Sequence, residues 1–283
     1  MSAHAAPQLS ILIPMCNEAD GLHMLFQRLI PVLESMTPNW EIICVDDGST
    51  DDTLAHLYAW HAHDSRVRII SLSRNFGKEA ALTAALEHAK GRAIIPLDAD
   101  LQDPPEVIPE LVAKWQEGYN VVLAVRQSRA GDTVFKRLSA LCYYKMMRGM
   151  QVDLPENSGD FRLMDAQVVE VIKRLPERSR FMKGLFAWVG FSSCTVYYDR
   201  PARAVGKAKH NWHSLFLLAK DGLFSFSTIP LSVSTYLGLT ISSVAFLYAF
   251  WLIIRTLIFG VDVPGYASIM AAVLFMGGIH LVA

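Results

Sequence analysis

Short apolar runs alternate with helical patterns through the first half of the chain. Residues 10–14 (SILIP), 41–45 (EIICV), 67–72 (VRIISL), 93–97 (AIIPL) and 121–125 (VVLAV) are rich in β-branched residues and largely apolar at successive positions. Parallel strands covered on both faces read this way. Between the runs, residues 21–35, 53–62, 78–90 and 106–117 carry apolar positions at helical spacing. The alternation predicts an α/β sheet with right-handed crossovers. Ligands of such sheets bind at the C-terminal ends of the strands, so the polar residues after each strand bear on function. Beyond residue 130 the pattern loosens. Residues 133–147 read as a helix with aromatic and apolar residues on one side, and residues 212–226 as an amphipathic helix of a kind that lies in a membrane interface.

The C-terminal pattern is different. Residues 222–254 contain no Asp, Glu, Lys or Arg, and a second uncharged run covers residues 263–283. A helix of about 20 apolar residues spans a bilayer. The first run therefore predicts a span starting near Pro230, and the second a further helix, complete or cut short by the end of the sequence. The alternative is a buried core helix, which two long runs back to back disfavour. Lys207, Lys209 and Lys220 precede the first span and Arg255 follows it, which favours a cytoplasmic N-terminal domain. The N-terminal MSAHAAPQ has neither the basic segment nor the apolar stretch of a signal peptide.

The 283 residues suit one large domain with added elements, and the hydrophobic fraction of 52% is high because of the C-terminal runs. A net charge of -1 argues against a nucleic-acid partner. Cys16, Cys44, Cys142 and Cys194 form no CxxC pair and read as free thiols in a reducing compartment.

Acidic turns follow the strands. Pro14-Met15-Cys16-Asn17-Glu18 follows the first strand and Asp46-Asp47-Gly48-Ser49-Thr50-Asp51 the second. Helix capping accounts for Ser49 to Asp52, but not for two adjacent carboxylates at the strand end, which can accept from a nucleobase or ribose. Asp98-Ala99-Asp100-Leu101-Gln102-Asp103-Pro104-Pro105-Glu106 follows the fourth strand. Two carboxylates one residue apart can hold Mg2+ or Mn2+ with positions left for phosphate oxygens; the competing reading is a helix cap before Pro104. Asp160, in Gly159-Asp160-Phe161-Arg162-Leu163, either acts chemically or pairs with Arg162 or a nearby Lys to hold a turn. Lys78 faces phosphate or is a solvated helix start. Arg126, Arg129, Lys136 and Arg137 form one basic cluster, and Arg200, Arg203, Lys207 and Lys209 another; both suit lipid anchoring or a specific phosphate site. His56, His61 and His63 share no helix face and read as surface residues. Walker, GxGxxG and GxSxG motifs are absent.

The order PxxNE, DDGS, NxGKxxA, DADLQDPPE, GDFRL, a basic segment and two apolar spans resembles the polyprenyl-phosphate glycosyltransferases, the family of dolichol-phosphate mannose synthase and the bacterial undecaprenyl-phosphate glucosyltransferases. The likeness runs from Leu9 over nearly the whole chain, and residues 180–185 (RFMKGL) lean toward the bacterial glucosyl branch. It implies an A-type Rossmann-like fold and the division 1–210 cytoplasmic transferase domain, 211–228 interfacial helix and 229–283 transmembrane hairpin, in a multi-pass inner-membrane protein. By the same likeness Pro14, Glu18, Asp47 and Asp98 contact the nucleotide. Asp98, Asp100 and Gln102 bind Mg2+ or Mn2+ and diphosphate. Asp160 is the catalytic group, and Lys78, Arg126, Arg137, Arg203 and Lys209 face phosphates or lipid. The family pattern GxSK is replaced by Gly206-Lys207-Ala208-Lys209, without the hydroxyl, and the QxxRW of processive synthases is missing.

The implied reaction is a single inverting displacement, with a lipid phosphate oxygen attacking the anomeric carbon of a UDP-sugar, UDP-glucose first. UDP-N-acetylhexosamine, a UDP-aminopentose and GDP-mannose stay open as donors. Other readings are a membrane-tethered transferase with a non-lipid acceptor, or a non-catalytic membrane scaffold. The resemblance also allows a homo-oligomer.

Overall fold

A computed structural model of the protein describes residues 7–127, 158–175, 182, 185–186, 189–199, 229–260 and 265–282. The chain divides into two compact units, Met1–Ser225 and Phe226–Ala283. The expected helices at 133–147 and 212–226 lie outside the described residues, as do Cys142, Arg137, Arg203 and Lys209.

In the first unit the five expected strands form within one or two residues of their sequence bounds. They are β1 (Leu9–Met15), β2 (Trp40–Asp46), β3 (Val67–Ser71), β4 (Ala93–Pro96) and β5 (Val121–Arg126). The four expected helices follow as α1 (Ala19–Met36), α2 (Thr53–His63), α3 (Lys78–His88) and α4 (Ile108–Gln116), the last led by a 3-10 turn at Pro105–Val107. The uninterrupted apolar strands are covered on both faces: every residue of β2 and β4 is buried. In α1, Leu22, Leu25, Phe26, Leu29 and Leu33 recur every three or four residues and are all buried against the sheet core. Full burial of each such side chain contributes roughly 1.5–3 kcal/mol.

The structure adds three elements that the apolar pattern did not predict: β6 (Ser158–Asp165), α5 (Ala166–Arg174) and β7 (Ser193–Tyr198). They change the topology. The sheet has the order β3-β2-β1-β4-β6-β5-β7, and β6 runs antiparallel to both β4 and β5. The five expected strands run parallel to one another, and the unexpected β6 makes the sheet mixed. Because β6 is reversed, its start lies at the same edge as the C-terminal ends of its neighbours, and Ser158 pairs with Val125 near the end of β5.

The second unit consists of α6 (Ile229–Phe259), with Pro230 in its first turn as expected, and α7 (Tyr266–Val282). The two pack together, with Phe246 and Phe275 edge to face at 5.8 Å. Most of the outer α6 side chains are apolar and exposed, Leu257 to 80% and Phe259 to 79%, unlike those of a helix inside a protein core. Thr235–Phe259, at 25 residues, is long and apolar enough to cross a bilayer. The apolar part of α7, Ser268–Gly277, is shorter.

Candidate active site

The loops after β1 and β2 are stitched together by side chains. Asn17 adopts φ 55, and its Oδ1 accepts from the Thr50 amide at 2.7 Å. In return the Asn17 amide donates to Ser49 Oγ, the Glu18 amide to Thr53 Oγ1 and the Ala19 amide to Asp51 Oδ2. Burial pushes the Asp51 carboxyl up, but the Thr53 hydroxyl and the Thr53 and Ala19 amides outweigh it and hold the group below its ordinary range. Asp51 also accepts from the Thr53 amide that opens α2, whereas Ser49 serves the loop alone and the N-cap residue Asp52 makes no side-chain cap. Gly48 is required here: it sits at φ +66, and a Cβ would lie 2.5 Å from the Arg74 carbonyl carbon.

Asp47 is 3% exposed. Its two oxygens accept from the amides of Phe76 and Gly77 at 2.7 and 2.8 Å, so it pins the loop that launches α3. The resemblance implies a nucleotide contact for Asp47; in the structure it lies under the loop carrying Lys78. Pro14 and Glu18 are half-buried at the end of β1 and just beyond it.

Lys78 is the first residue of α3, and Gly77 before it has φ 97. Its Nζ lies 2.6 Å from Asp98 Oδ1 and 2.7 Å from Asp160 Oδ2, which unites three expected site residues from the ends of different elements. The Lys78 side chain is 41% exposed and Asp160 only 12%. Burial alone would lower the ammonium; Asp160 and Asp98 outweigh it and hold the group well above the ordinary lysine range. Lys78 is therefore ion-paired at the start of α3 rather than only solvated there. The pairing of Asp160 with a lysine, one of the two readings of that residue, is realised across the sheet rather than within a turn.

The backbone of β6 explains how Asp160 is aimed. Leu123 pairs with Arg162 and Val125 with Ser158, so two steps on β5 span four on β6. The shift falls on residues 159–161, and such irregularities re-aim side chains beside active sites. Phe161 and Leu163 are buried on the opposite face. Beside Asp160, Arg162 is 2% exposed. It donates to the Gly159 carbonyl at 2.7 Å and sits 4.5 Å over the Phe186 ring. Burial pulls its guanidinium down to about 10, partly offset by Asp160.

The Asp98–Glu106 segment does not cap α4, since neither the 3-10 turn nor α4 has a side-chain cap. Instead Asp100 Oδ1 accepts from the Gln102 amide at 3.1 Å, Leu101 takes φ 58, and Glu106 pairs with Arg28 at 2.7 Å. Asp103 is buried and accepts a short hydrogen bond from the Tyr198 hydroxyl. Arg126 Nη2 lies 3.8 Å from Asp103, and Arg126 Nε donates to the Tyr198 hydroxyl at 3.4 Å. The same guanidinium is 3.4 Å from where a Gly159 Cβ would be, so Arg126 borders the Asp160 segment and Gly159 leaves room for it. The sequence flagged Arg126 but not its supports Asp103 and Tyr198, which are 95 residues apart.

Asp98, Asp100 and Gln102 offer oxygen donors suited to a hard divalent cation. Among the described residues no group of three or more His, Cys, Asp or Glu side chains is placed to hold a metal ion by itself. His56, His61 and His63 are exposed on α2, as expected.

The model of glycosyl transferase family 2 matches residues 10–173. An uncharacterized glycosyltransferase of Synechocystis is 54% identical over 97% of this chain and 87% of its own length. The bactoprenol glucosyl transferase of Shigella phage SfV is 45% identical over 97% of this chain and 90% of its own. The fold is shared with glucosyl-3-phosphoglycerate synthase of Mycobacterium tuberculosis, solved with Mn2+, UDP-glucose and phosphoglyceric acid, at TM-score 0.54 and 20% identity over 77% of this chain and 79% of that one. The chain is a glycosyltransferase of family 2, with an A-type α/β fold, and belongs to the polyprenyl-phosphate glycosyltransferases.

Proposed function

We propose that the protein transfers glucose from UDP-glucose to polyprenyl phosphate, undecaprenyl phosphate first, with inversion at the anomeric carbon. The product is a lipid-linked monosaccharide for cell-envelope glycan modification. The observation that carries this reading is the Asp98–Lys78–Asp160 cluster at the strand-end edge. It occurs in a chain 45% identical to bactoprenol glucosyl transferases.

In this reading Pro14 and Glu18 border the nucleotide, and Asp47 supports it through the loop it pins while keeping lone pairs for it. Asp98 and Asp100, with Gln102, would hold Mg2+ or Mn2+, which neutralises charge on the departing diphosphate when bound. Asp160 acts in the chemical step, orienting the acceptor phosphate and taking any remaining proton. A phosphate monoester is already largely ionised near neutral pH, so positioning and charge matter more than a strong base. Arg126, fixed by Asp103 and Tyr198, presents a guanidinium that can grip phosphate bidentately. Arg137, Arg203 and Lys209 are further phosphate or lipid contacts. The apolar helices make the enzyme a membrane protein: α6 as a span, α7 as its hairpin partner, residues 211–228 as the interfacial helix and residues 1–210 as the cytoplasmic domain.

The test uses the full chain purified in detergent, radiolabelled UDP-glucose and undecaprenyl phosphate. Label should enter the organic phase only with both substrates, EDTA should stop transfer, and the product should have the anomeric configuration opposite to the donor. A panel with UDP-N-acetylhexosamine, a UDP-aminopentose and GDP-mannose checks the sugar. Transfer that proceeds equally well to a non-lipid acceptor would sink the lipid assignment.

A further inference from the structure

Lys78 combines a fixed base with a movable tip. Its backbone position is set by Asp47, which holds the amides of the two preceding residues. Its tip carries three N–H donors on a flexible four-carbon stem. That tip now lies between Asp98, which follows β4, and Asp160, on β6, at 2.6 and 2.7 Å. A divalent cation that uses Asp98 needs the carboxylate that the ammonium now occupies. Two positive charges sharing one carboxylate repel each other at short range, where a unit charge acts strongly.

We propose that Lys78 is a built-in cation that competes with the divalent metal for Asp98, and that the arriving metal and donor drive it off Asp98 while it stays on Asp160. This rests on the metal-dependent reading above. Lys78 then has a positioning role in two states. Without donor it neutralises both acids and keeps them at one place. With donor it remains beside Asp160, with N–H groups turned toward phosphate oxygens. It also weakens metal binding until the nucleotide diphosphate adds its own oxygens, so metal and donor enter together.

The experiment is Mn2+ binding to the full chain in detergent without nucleotide, with free Mn2+ read by electron paramagnetic resonance. Lys78→Met should bind Mn2+ about tenfold more tightly than wild type or better, because one nearby positive charge is gone. Lys78→Arg, which keeps the charge, should not gain. With saturating UDP the gap between Lys78→Met and wild type should narrow. A lysine that only supports the fold predicts equal or weaker Mn2+ binding by Lys78→Met, and that result overturns the proposal. If Lys78→Met loses its folded circular dichroism, Lys78→Gln is measured in its place with the same expectation. Asp98→Asn separates the two levels of inference. If it binds Mn2+ as wild type does, the metal reading falls and this proposal with it. If it loses Mn2+ while neutral variants at 78 gain nothing, only the role of Lys78 falls.

Discussion

Asp160 has little exposure and sits against an ammonium, so removing its charge without its shape separates chemistry from architecture. Asp160→Asn should lower kcat by about 10²–10⁴-fold, the range of general acid–base groups, with donor binding close to wild type. Steady-state kinetics beside a UDP-glucose titration check this, and near-normal turnover would remove Asp160 from the chemical step. Arg126→Ala should raise KM for lipid phosphate or donor. Tyr198→Phe, which loses the hydroxyl that Arg126 and Asp103 share, should act in the same direction more weakly. Unchanged kinetics for both substrates would make Arg126 an ordinary surface group. Gly48→Ala should cost at least about 3 kcal/mol or prevent folding, since strain at positive φ is joined by a backbone clash; a melting curve reads it directly. Acidic turns and basic clusters marked Asp47, Asp98, Asp160, Lys78 and Arg126 in the sequence, but not which of them meet. Lys78 meets Asp160 across 82 residues and Asp47 meets Gly77 across 30, and no local pattern encodes such pairings.

At the level of elements, the strands that declared themselves were those rich in β-branched residues and largely apolar at successive positions. β6 did not, because it reads SGDFRLMD and places Asp160 and Arg162 inside the sheet. A buried guanidinium and a functional carboxylate interrupt the run that would have betrayed a strand, so the segment looked like a turn with chemistry on it. β7 was hidden differently: as the edge strand it alternates exposed and covered positions weakly. The end of α2 offers a test of electrostatics away from the site. Arg66 lies 3.7 Å over the Trp40 ring and pairs with Asp64 at 2.7 Å, and its hydrogen bond holds the Asp64 carboxyl below the ordinary carboxylate range. A carboxyl lowered on folding stabilises fully above its unfolded value and loses that contribution as pH falls through the folded value. Arg66→Met should therefore be less stable than wild type by about 1 kcal/mol at pH 7, and the part due to the ion pair should shrink as pH falls through the carboxylate range. Urea titrations at pH 7 and pH 3 measure it; an equal deficit at both would leave only the ring contact and the hydrogen bond to the Pro38 carbonyl.

For the whole molecule, the division into a sheet-based unit and an apolar helical unit was legible from charge alone, since residues 222–254 carry none. A chain cut before Ser227 should leave membranes more readily and lose most transfer to long-chain lipid phosphate, while binding UDP-glucose as the full chain does. Equal use of the long-chain acceptor by both would reduce the helices to an anchor.

The place of β6 in the sheet has a consequence for how the enzyme is made. β4 and β5 leave the ribosome first, yet they are not neighbours; the eight residues of Ser158–Asp165 must come between them. Until then that edge of β4 is an open ladder of backbone donors and acceptors, which invites pairing with other chains. The strand that seals the edge is also the one that delivers Asp160. A nascent chain is thus adhesive and inert together, and one late insertion ends both conditions.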